Sequence, residues 1–303
     1  MELFQHTITK AITLSGEGVI SGKEILLELC PAPPNHGIVF ERADLPSPIS
    51  IPVGPETAHA IDGASLVALG KYRIIYVEHL LSALNGLSID NILIKVYGDE
   101  IPLFDGSAKA FVEAIISVGR QPQWALRRYV RLEEEIIVRE GEKSIVISPA
   151  DTLAIDYEID FAHPVIGHQK FSFELSQEKY VSQVCMARTF AFLEDLAVLR
   201  EKGLLRGGSL ENALVLDDKQ VLNPDGLHFP DEFVRHKTLD LLGDLYLFGA
   251  PILAKIKATR ASHKLHLRAV KALGESLYAW RWYPSPGRAP LKPAAVSLPA
   301  FAA

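Results

Sequence analysis

Sulfur is scarce in this 303-residue chain, which holds two cysteines, Cys30 and Cys185, and two methionines. Two thiols cannot build a disulfide framework or a cysteine-based zinc site, and their scarcity fits a reducing compartment. Long apolar runs are missing too. None approaches the roughly 18 residues that mark a membrane-spanning helix, and LYLFGAPILAKIKA, the longest apolar stretch, reads as buried core. The opening residues, MELFQHTITKAITLSGEGVISGK, lack the apolar centre of a secretory signal, so a cytoplasmic location is expected. A basic excess is also absent. The 31 Lys and Arg stand against 37 Asp and Glu, a formal charge of -6, and general nucleic-acid binding favours the opposite balance. At 48% hydrophobic and 22% charged residues, the chain can build a core. Its length suits one large domain or two ordinary ones.

The order of signals along the chain predicts an α+β fold. ITLSGEGVISGKEILLELCPAPPNHGIVFERADL reads as strands broken by Gly, Pro and Asn. VEHLLSALNGL reads as a short amphipathic helix, and IDNILIKV as a strand. DGSAKAFVEAIISVG is a second helix, with Asp105 or Ser107 as its cap and Gly119 past its end. RQPQWALRRY looks like a connection. A second strand-rich and helix-rich half follows, with a helix over PDEFVRHKTLDLLGDLYLFG, a strand over PILAKIKATR and a last helix over HKLHLRAVKALGESLYAW. We expect an N-terminal α+β domain over 1–125 and a C-terminal one over 126–280. A Pro/Ala-rich tail over 281–303 would follow.

One stretch gathers unusual chemistry. In HKTLDLLGD, a helix places His236, Asp240 and Asp244 near one face. A histidine and a carboxylate at i, i+4 can grip one metal ion. A catalytic zinc needs a third protein ligand and keeps one position for water. His79 is the natural third ligand, and its neighbour Glu78 could serve as a base. The same letters also fit a surface ion pair on one helix and a packed core histidine on another.

Longer motifs carry a resemblance. VEHLLSALNGLSIDNILIKV, EIPLFDGSA, ARTFAFLEDLAVLREKGLLRGGSLENALVLDD and LNPDGLHFPDEFVRHKTLDLLGDL together resemble the UDP-3-O-acyl-N-acetylglucosamine deacetylase family. Those enzymes are the zinc amidohydrolases of the committed step of lipid A biosynthesis. The likeness runs from about residue 7 to about residue 275. It implies two similar βα sandwich domains packed with helices at their interface, each with a small inserted element, and an active site between them. It implies zinc held by His79, His236 and Asp240, with iron as the alternative for two histidines and a carboxylate. The catalytic set falls on Glu78 as general base, His263 on the oxyanion and leaving amine, Asp244 holding that histidine, and Thr189 beside the oxyanion. Substrate contacts fall on Lys237, Phe161, Asp160, Lys143 and Phe190. The partner implied is an acylated UDP-amino sugar, with transient contact to the inner-membrane surface and no nucleic acid. An apolar passage for the acyl chain would come from an inserted βαβ unit in DFAHPVIGHQKFSFEL, with Val165, Ile166 and Phe171 as lining candidates.

The chain departs from the family in two places. Ile20 stands where many members carry histidine. SHKLH replaces the usual Gly-His-x-Leu-Asn, so Ser262 precedes His263 and His266 takes the place of asparagine. His266 is expected on the helix surface rather than at a metal. Cys185, one turn before ARTF, is expected to be a buried small hydrophobe. Two other functions stay open: a deacetylase for a different acylated amino sugar, and a binding protein of this fold without turnover.

Overall fold

The computed structural model describes residues 1–196 and 205–284. The first half holds a five-stranded sheet in the order β2-β3-β9-β4-β5. Its strands are β2 (Ile12–Glu17), β3 (Glu24–Pro31), β4 (Ile38–Arg42), β5 (Ile49–Pro52) and β9 (Ile92–Val96). In β3 the alternation is direct: Ile25, Leu27 and Leu29 are buried, while the residues between them are half-buried, the period expected of a sheet with one face on a core. A three-stranded antiparallel sheet follows, β6 (Ala58–Ile61), β7 (Ala64–Leu69) and β8 (Tyr72–Ile75). In β7, Ala64 and Leu66 pack with Ile75 and Ile20, while Val67 joins the main core. Alternation therefore puts Ser65 on the same side as Val67.

The second half carries a seven-stranded sheet. Its central strand β18 (Ile252–Thr259) pairs with β13 (Lys143–Pro149), β14 (Ala154–Asp160) and β11 (Tyr129–Leu132). The helices are α1 (Glu78–Gly86), α2 (Lys109–Val118), α3 (Gln177–Gln183), α4 (Glu232–Tyr246) and α5 (His263–Glu275). Leu27 and Ile94 of the first sheet, Leu80 of α1, Leu242 of α4 and Ile256 of the second sheet belong to one continuous core. The architecture is α+β, as the order of signals predicts.

Three local expectations need correction. The connection RQPQWALRRY is largely a strand: β10 (Arg120–Leu126) pairs antiparallel with β1 (Phe4–Ile8). Pro122 sits opposite His6 in this two-stranded ribbon, where a missing N–H is tolerated. DFAHPVIGHQKFSFEL is not βαβ. β14 and β15 (His168–Glu174) form an antiparallel pair across residues 161–167. A parallel pair does occur later, between β16 (Phe190–Phe192) and β17 (Leu214–Leu216). The cap position of α2 is Ala108, neither Asp105 nor Ser107; those two close the turn before it, where Ser107 Oγ accepts from the Lys109 N–H and the Asp105 carboxylate accepts from Ser107. Parts of ARTFAFLEDLAVLREKG and most of the expected tail lie outside the described residues.

Helices α1 and α4 approach closely enough to bring their polar residues together. Asn85 Nδ2 donates to the Leu242 carbonyl at 2.9 Å. A Cβ at Gly243 would lie 2.0 Å from the Glu78 carbonyl oxygen, so only glycine fits without moving backbone. Gly243→Ala is expected to cost about 3 kcal/mol, because one backbone must shift away from another; denaturant unfolding measures it. The close approach also changes the character of α4. Amphipathy predicts leucines on one side only, but His236, Asp240 and Asp244 are buried as well. Buried polar groups need partners, and the site consists of them.

Candidate active site

His79 enters from the first turn of α1, and His236 and Asp240 from consecutive turns of α4. Their ligand atoms lie within 4.8 Å of one another, and all three residues are buried. Asp240 Oδ1 stands 3.2 Å from His236 Nε2 and 3.6 Å from His79 Nε2. The neighbouring atoms fix the chemistry. His236 Nδ1 lies 3.0 Å from the Ala187 carbonyl and so must carry the proton in that bond. Its Nε2 then presents a lone pair to Asp240 Oδ1, which has no hydrogen-bond donor. Burial holds the His236 pKa down to about 4 against the raising pull of Asp240, so the ring is neutral. A lone pair and an unpaired buried carboxylate oxygen facing each other repel unless a cation lies between them. The donor set, two imidazoles and one carboxylate, suits zinc or iron.

The segment ARTF is locked beside this cluster. Arg188 makes a buried ion pair with Glu232 at the start of α4, and Glu232 also accepts from the Arg188 backbone N–H. Thr189 follows, its N–H donating to the Gly106 carbonyl at 2.7 Å. Gly106, of the FDGS turn, has φ +85°, and a Cβ there would lie 2.4 Å from the Asn212 carbonyl oxygen. Glycine is required for this approach.

Glu78 is buried beside His79. Burial lifts its pKa to about 7, against the lowering pull of His263 and His79. That value suits a general base near neutrality. Its Oε2 accepts from the Ser65 N–H at 3.0 Å, and the Ser65 hydroxyl donates to Asp244 Oδ1 at 2.5 Å. One residue of β7 thus touches both carboxylates. Ser65 also accepts from the N–H of Tyr76, whose φ of 62° turns the chain into α1. Such a backbone position in a non-glycine residue holds only where the surroundings fix it.

His263 opens α5 with Nδ1 2.8 Å from Asp244 Oδ2 and Nε2 3.5 Å from Asp240 Oδ2. Burial lowers its pKa, but the Asp244 and Asp240 carboxylates outweigh this and raise it to about 9. The reverse holds for Asp244. Burial raises its pKa, the His263 charge and hydrogen bonds outweigh that, and the result is about 2. His263 is therefore expected to stay doubly protonated at neutral pH. Following its ring protons by NMR should give a midpoint above 7, and a midpoint below about 6, under the ordinary histidine value, would contradict this.

The remaining residues divide. Lys237 Nζ donates to Asp240 Oδ2 at 2.7 Å. Phe190 stacks edge-on near His236, with ring centroids 6.4 Å apart, and near Phe161 at 5.6 Å. An aromatic layer thus connects the cluster to a cavity of about 650 Å³ lined by Phe161, His163, Phe192 and Leu216. Asp160 is exposed at the end of β14 and pairs with Arg260. Lys143 is exposed at the β12–β13 turn, opposite Glu140, with β12 spanning Ile136–Glu140. Among the described residues, no hydrogen bond or ion pair connects Asp160 or Lys143 to the cluster. Ile166 and Phe171 belong to the core, and the Arg235 guanidinium covers the Phe171 ring at 4.3 Å. Cys185 is buried, with its thiol pKa pushed up to about 12 by burial, so it is an inert small hydrophobe.

His266 corrects the surface expectation. It is 0% exposed, its Nδ1 lies 2.7 Å from Asp244 Oδ2 and its Nε2 lies 2.9 Å from the Tyr157 hydroxyl. Sequence reading also misses Ser65, Phe192 and His163. Ser65 lies on a strand with no motif. His163 and Phe192 stand two residues from Phe161 and Phe190, and that proximity is the only signal that could have found them.

The fold and the cluster define the class: an α+β protein with a buried site able to hold a metal ion. A family model described as UDP-3-O-acyl N-acetylglycosamine deacetylase matches residues 5–275. A Legionella pneumophila (strain Corby) protein named UDP-3-O-acyl-N-acetylglucosamine deacetylase is 45% identical over 280 residues, 92% of each chain. A Myxococcus xanthus (strain DK1622) protein of the same name is 43% identical over 269 residues, 88% of this chain and 85% of its own. One from Campylobacter hominis is 44% identical over 269 residues, 89% of this chain and 91% of its own. The chain belongs to the UDP-3-O-acyl-N-acetylglucosamine deacetylase family.

Proposed function

We propose that this chain hydrolyses the N-acetyl group of UDP-3-O-acyl-N-acetylglucosamine, giving acetate and the free amine for lipid A biosynthesis. The observation that carries this reading is the convergence of buried ligand atoms on His79, His236 and Asp240 within 4.8 Å, with Asp240 Oδ1 lacking a donor, beside the buried Glu78. Zinc is the proposed ion, with iron(II) as the alternative. When bound, such an ion supplies a Lewis acid that polarises the acetamide carbonyl and acidifies water.

The protein's own groups do the rest. Glu78 takes a proton from the attacking water as the new carbon–oxygen bond forms. His263, held charged by Asp244, directs its Nε2–H to the developing oxyanion and then to the departing nitrogen as the carbon–nitrogen bond breaks. Thr189 stands by for the same oxyanion. Lys237 reaches the polar head of the substrate, and Phe161 and Phe190 pack on it through their rings. Asp160 and Lys143 are the outer contacts of this proposal.

We assign the work to the cytoplasm, with transient contact to the inner-membrane surface where the acylated substrate arises. Among the described residues no helix is long and apolar enough to cross a membrane. The division into 1–125 and 126–280 is part of the same proposal; the tail expected from 281 begins later, because β19 (Trp280–Tyr283) pairs antiparallel with β11 in the second sheet. The direct test is incubation with UDP-3-O-acyl-N-acetylglucosamine. One acetate and one free amine per substrate are expected. Absence of acetate, with metal bound, would overturn the reading.

A further inference from the structure

The buried Asp244 carboxylate has more donors than a single histidine needs. Ser65 Oγ takes Oδ1. His263 Nδ1 and His266 Nδ1 share Oδ2, at 2.8 and 2.7 Å. Both histidines lie one turn apart on the same face of α5, with ring centroids 5.8 Å apart and planes inclined at 72°. The far side of His266 is fixed as well. Its Nε2 meets the Tyr157 hydroxyl, which lies 3.0 Å from the carbonyl of Ala261, two residues before His263. Tyr157 is anchored on β14, opposite Ala258 of β18. A chain of contacts therefore runs from the second sheet through Tyr157 and His266 to the oxygen that holds His263.

We propose that His266 is a positioning residue for His263, acting through the Asp244 oxygen that both rings share. The inference rests on the reading of His263 as the group that serves the oxyanion and the leaving nitrogen. Among the described residues, the Asp244 carboxylate accepts from side chains and from no backbone N–H, so side-chain donors set its orientation. Two donors on one oxygen, approaching from different directions, fix where that oxygen can sit. Remove one and the carboxylate can turn about its last bond, and the imidazole that follows it turns too. Burial lowers the pKa of His266 despite the Asp244 bond, so its single ring proton lies on Nδ1, facing Asp244. Nε2 then turns its lone pair to the Tyr157 hydroxyl, whose one proton is shared between that nitrogen and the Ala261 carbonyl.

Stereochemistry supplies a matched pair of variants. Asparagine places its side-chain nitrogen at the branch where histidine places Nδ1. His266→Asn therefore keeps the donor to Asp244 and loses only Tyr157. His266→Leu fills the space and keeps neither bond. Two measurements on the full chain separate the outcomes. The first needs no substrate: the exchange with water of the His263 Nδ1 proton, followed by NMR. It should speed up at least about tenfold in His266→Leu and return to within about threefold of the native rate in His266→Asn, as loosening of a shared hydrogen bond predicts. The second is the kcat and KM of amine formation. His266→Leu should lower kcat by about 10- to 100-fold, as misplaced reacting groups do, with KM within about twofold, and His266→Asn should recover most of that loss.

Native exchange and native kcat in His266→Leu would overturn the inference. So would equal impairment of both variants, because packing would then be the cause. If His266→Leu does not fold, His266→Asn with Tyr157→Phe decides: two near-native proteins support the shared oxygen, and a hundredfold loss in His266→Asn refutes it. If the native chain releases no acetate while the His263 proton responds as described, the deacetylase reading fails and the positioning stands.

Discussion

Replacing Glu78 with alanine lowers amine formation at least about a hundredfold, the ordinary worth of a general base, and leaves the metal content of the protein unchanged. Three features set this expectation. Glu78 lies beside His79 but outside the His79–His236–Asp240 set. Its pKa is raised by burial to about 7, so the carboxylate can both take and return a proton near neutrality. Its Oε2 is aimed by the Ser65 N–H. The same pKa values give the pH profile a direction. With the proposed roles, activity needs Glu78 ionised and His263 protonated. It should rise as pH passes upward through the Glu78 value and fall as it passes the His263 value of about 9. A cation bound beside both groups favours the ionised Glu78 and disfavours the charged His263, so the acid limb lies at or below about 7 and the basic limb at or below about 9. Initial rates of Glu78→Ala and the native protein, measured across pH with metal analysis of both, check the prediction. Native-like turnover in the variant would remove Glu78 from the reaction.

The second large effect concerns Asp240. Asp240→Ala should lower metal content below one ion per chain and cut amine formation by more than about a hundredfold. Partners one layer out from a metal are worth about 10- to 100-fold, and a direct ligand exceeds them. Asp240 also holds Lys237 at 2.7 Å and faces His263 Nε2 at 3.5 Å. Its loss therefore frees a lysine and removes part of the field that keeps His263 charged. Circular dichroism would show whether the variant folds, and metal analysis whether the ion has gone. A folded Asp240→Ala that keeps one ion and full activity would contradict the ligand set.

Four residues of the site are legible in the sequence. His236 and Asp240 at i, i+4 need only a helix to meet, and α4 is that helix. Glu78 and His79 are neighbours in sequence. What brings α1 to α4 is less visible: Gly243 admits the Glu78 carbonyl, a packing fact that one glycine in a leucine-rich helix does not announce. Ser65 was not legible, because a serine in an alternating strand carries no signal until its inward side is known. The burial of His266 is hidden for the same reason. Its spacing from His263 was plain, but whether that face of α5 met water or α4 depended on tertiary packing. Propensity also misled at β10. Pro122 and the flanking charges read as a loop, and the ribbon with β1 accepts them because each strand there has one partner only. The hairpin of β14 and β15 reads as βαβ in the sequence because a short apolar run between two strands does not reveal whether it crosses over or turns back.

We propose that a metal held by His79, His236 and Asp240 drives removal of an N-acetyl group. The most direct measurement follows amine formation from UDP-3-O-acyl-N-acetylglucosamine in native protein, then in protein stripped by a chelator, then after zinc is restored one ion per chain. Loss on stripping and recovery at one equivalent are expected. Full turnover in the stripped protein, with metal analysis showing none bound, would contradict it.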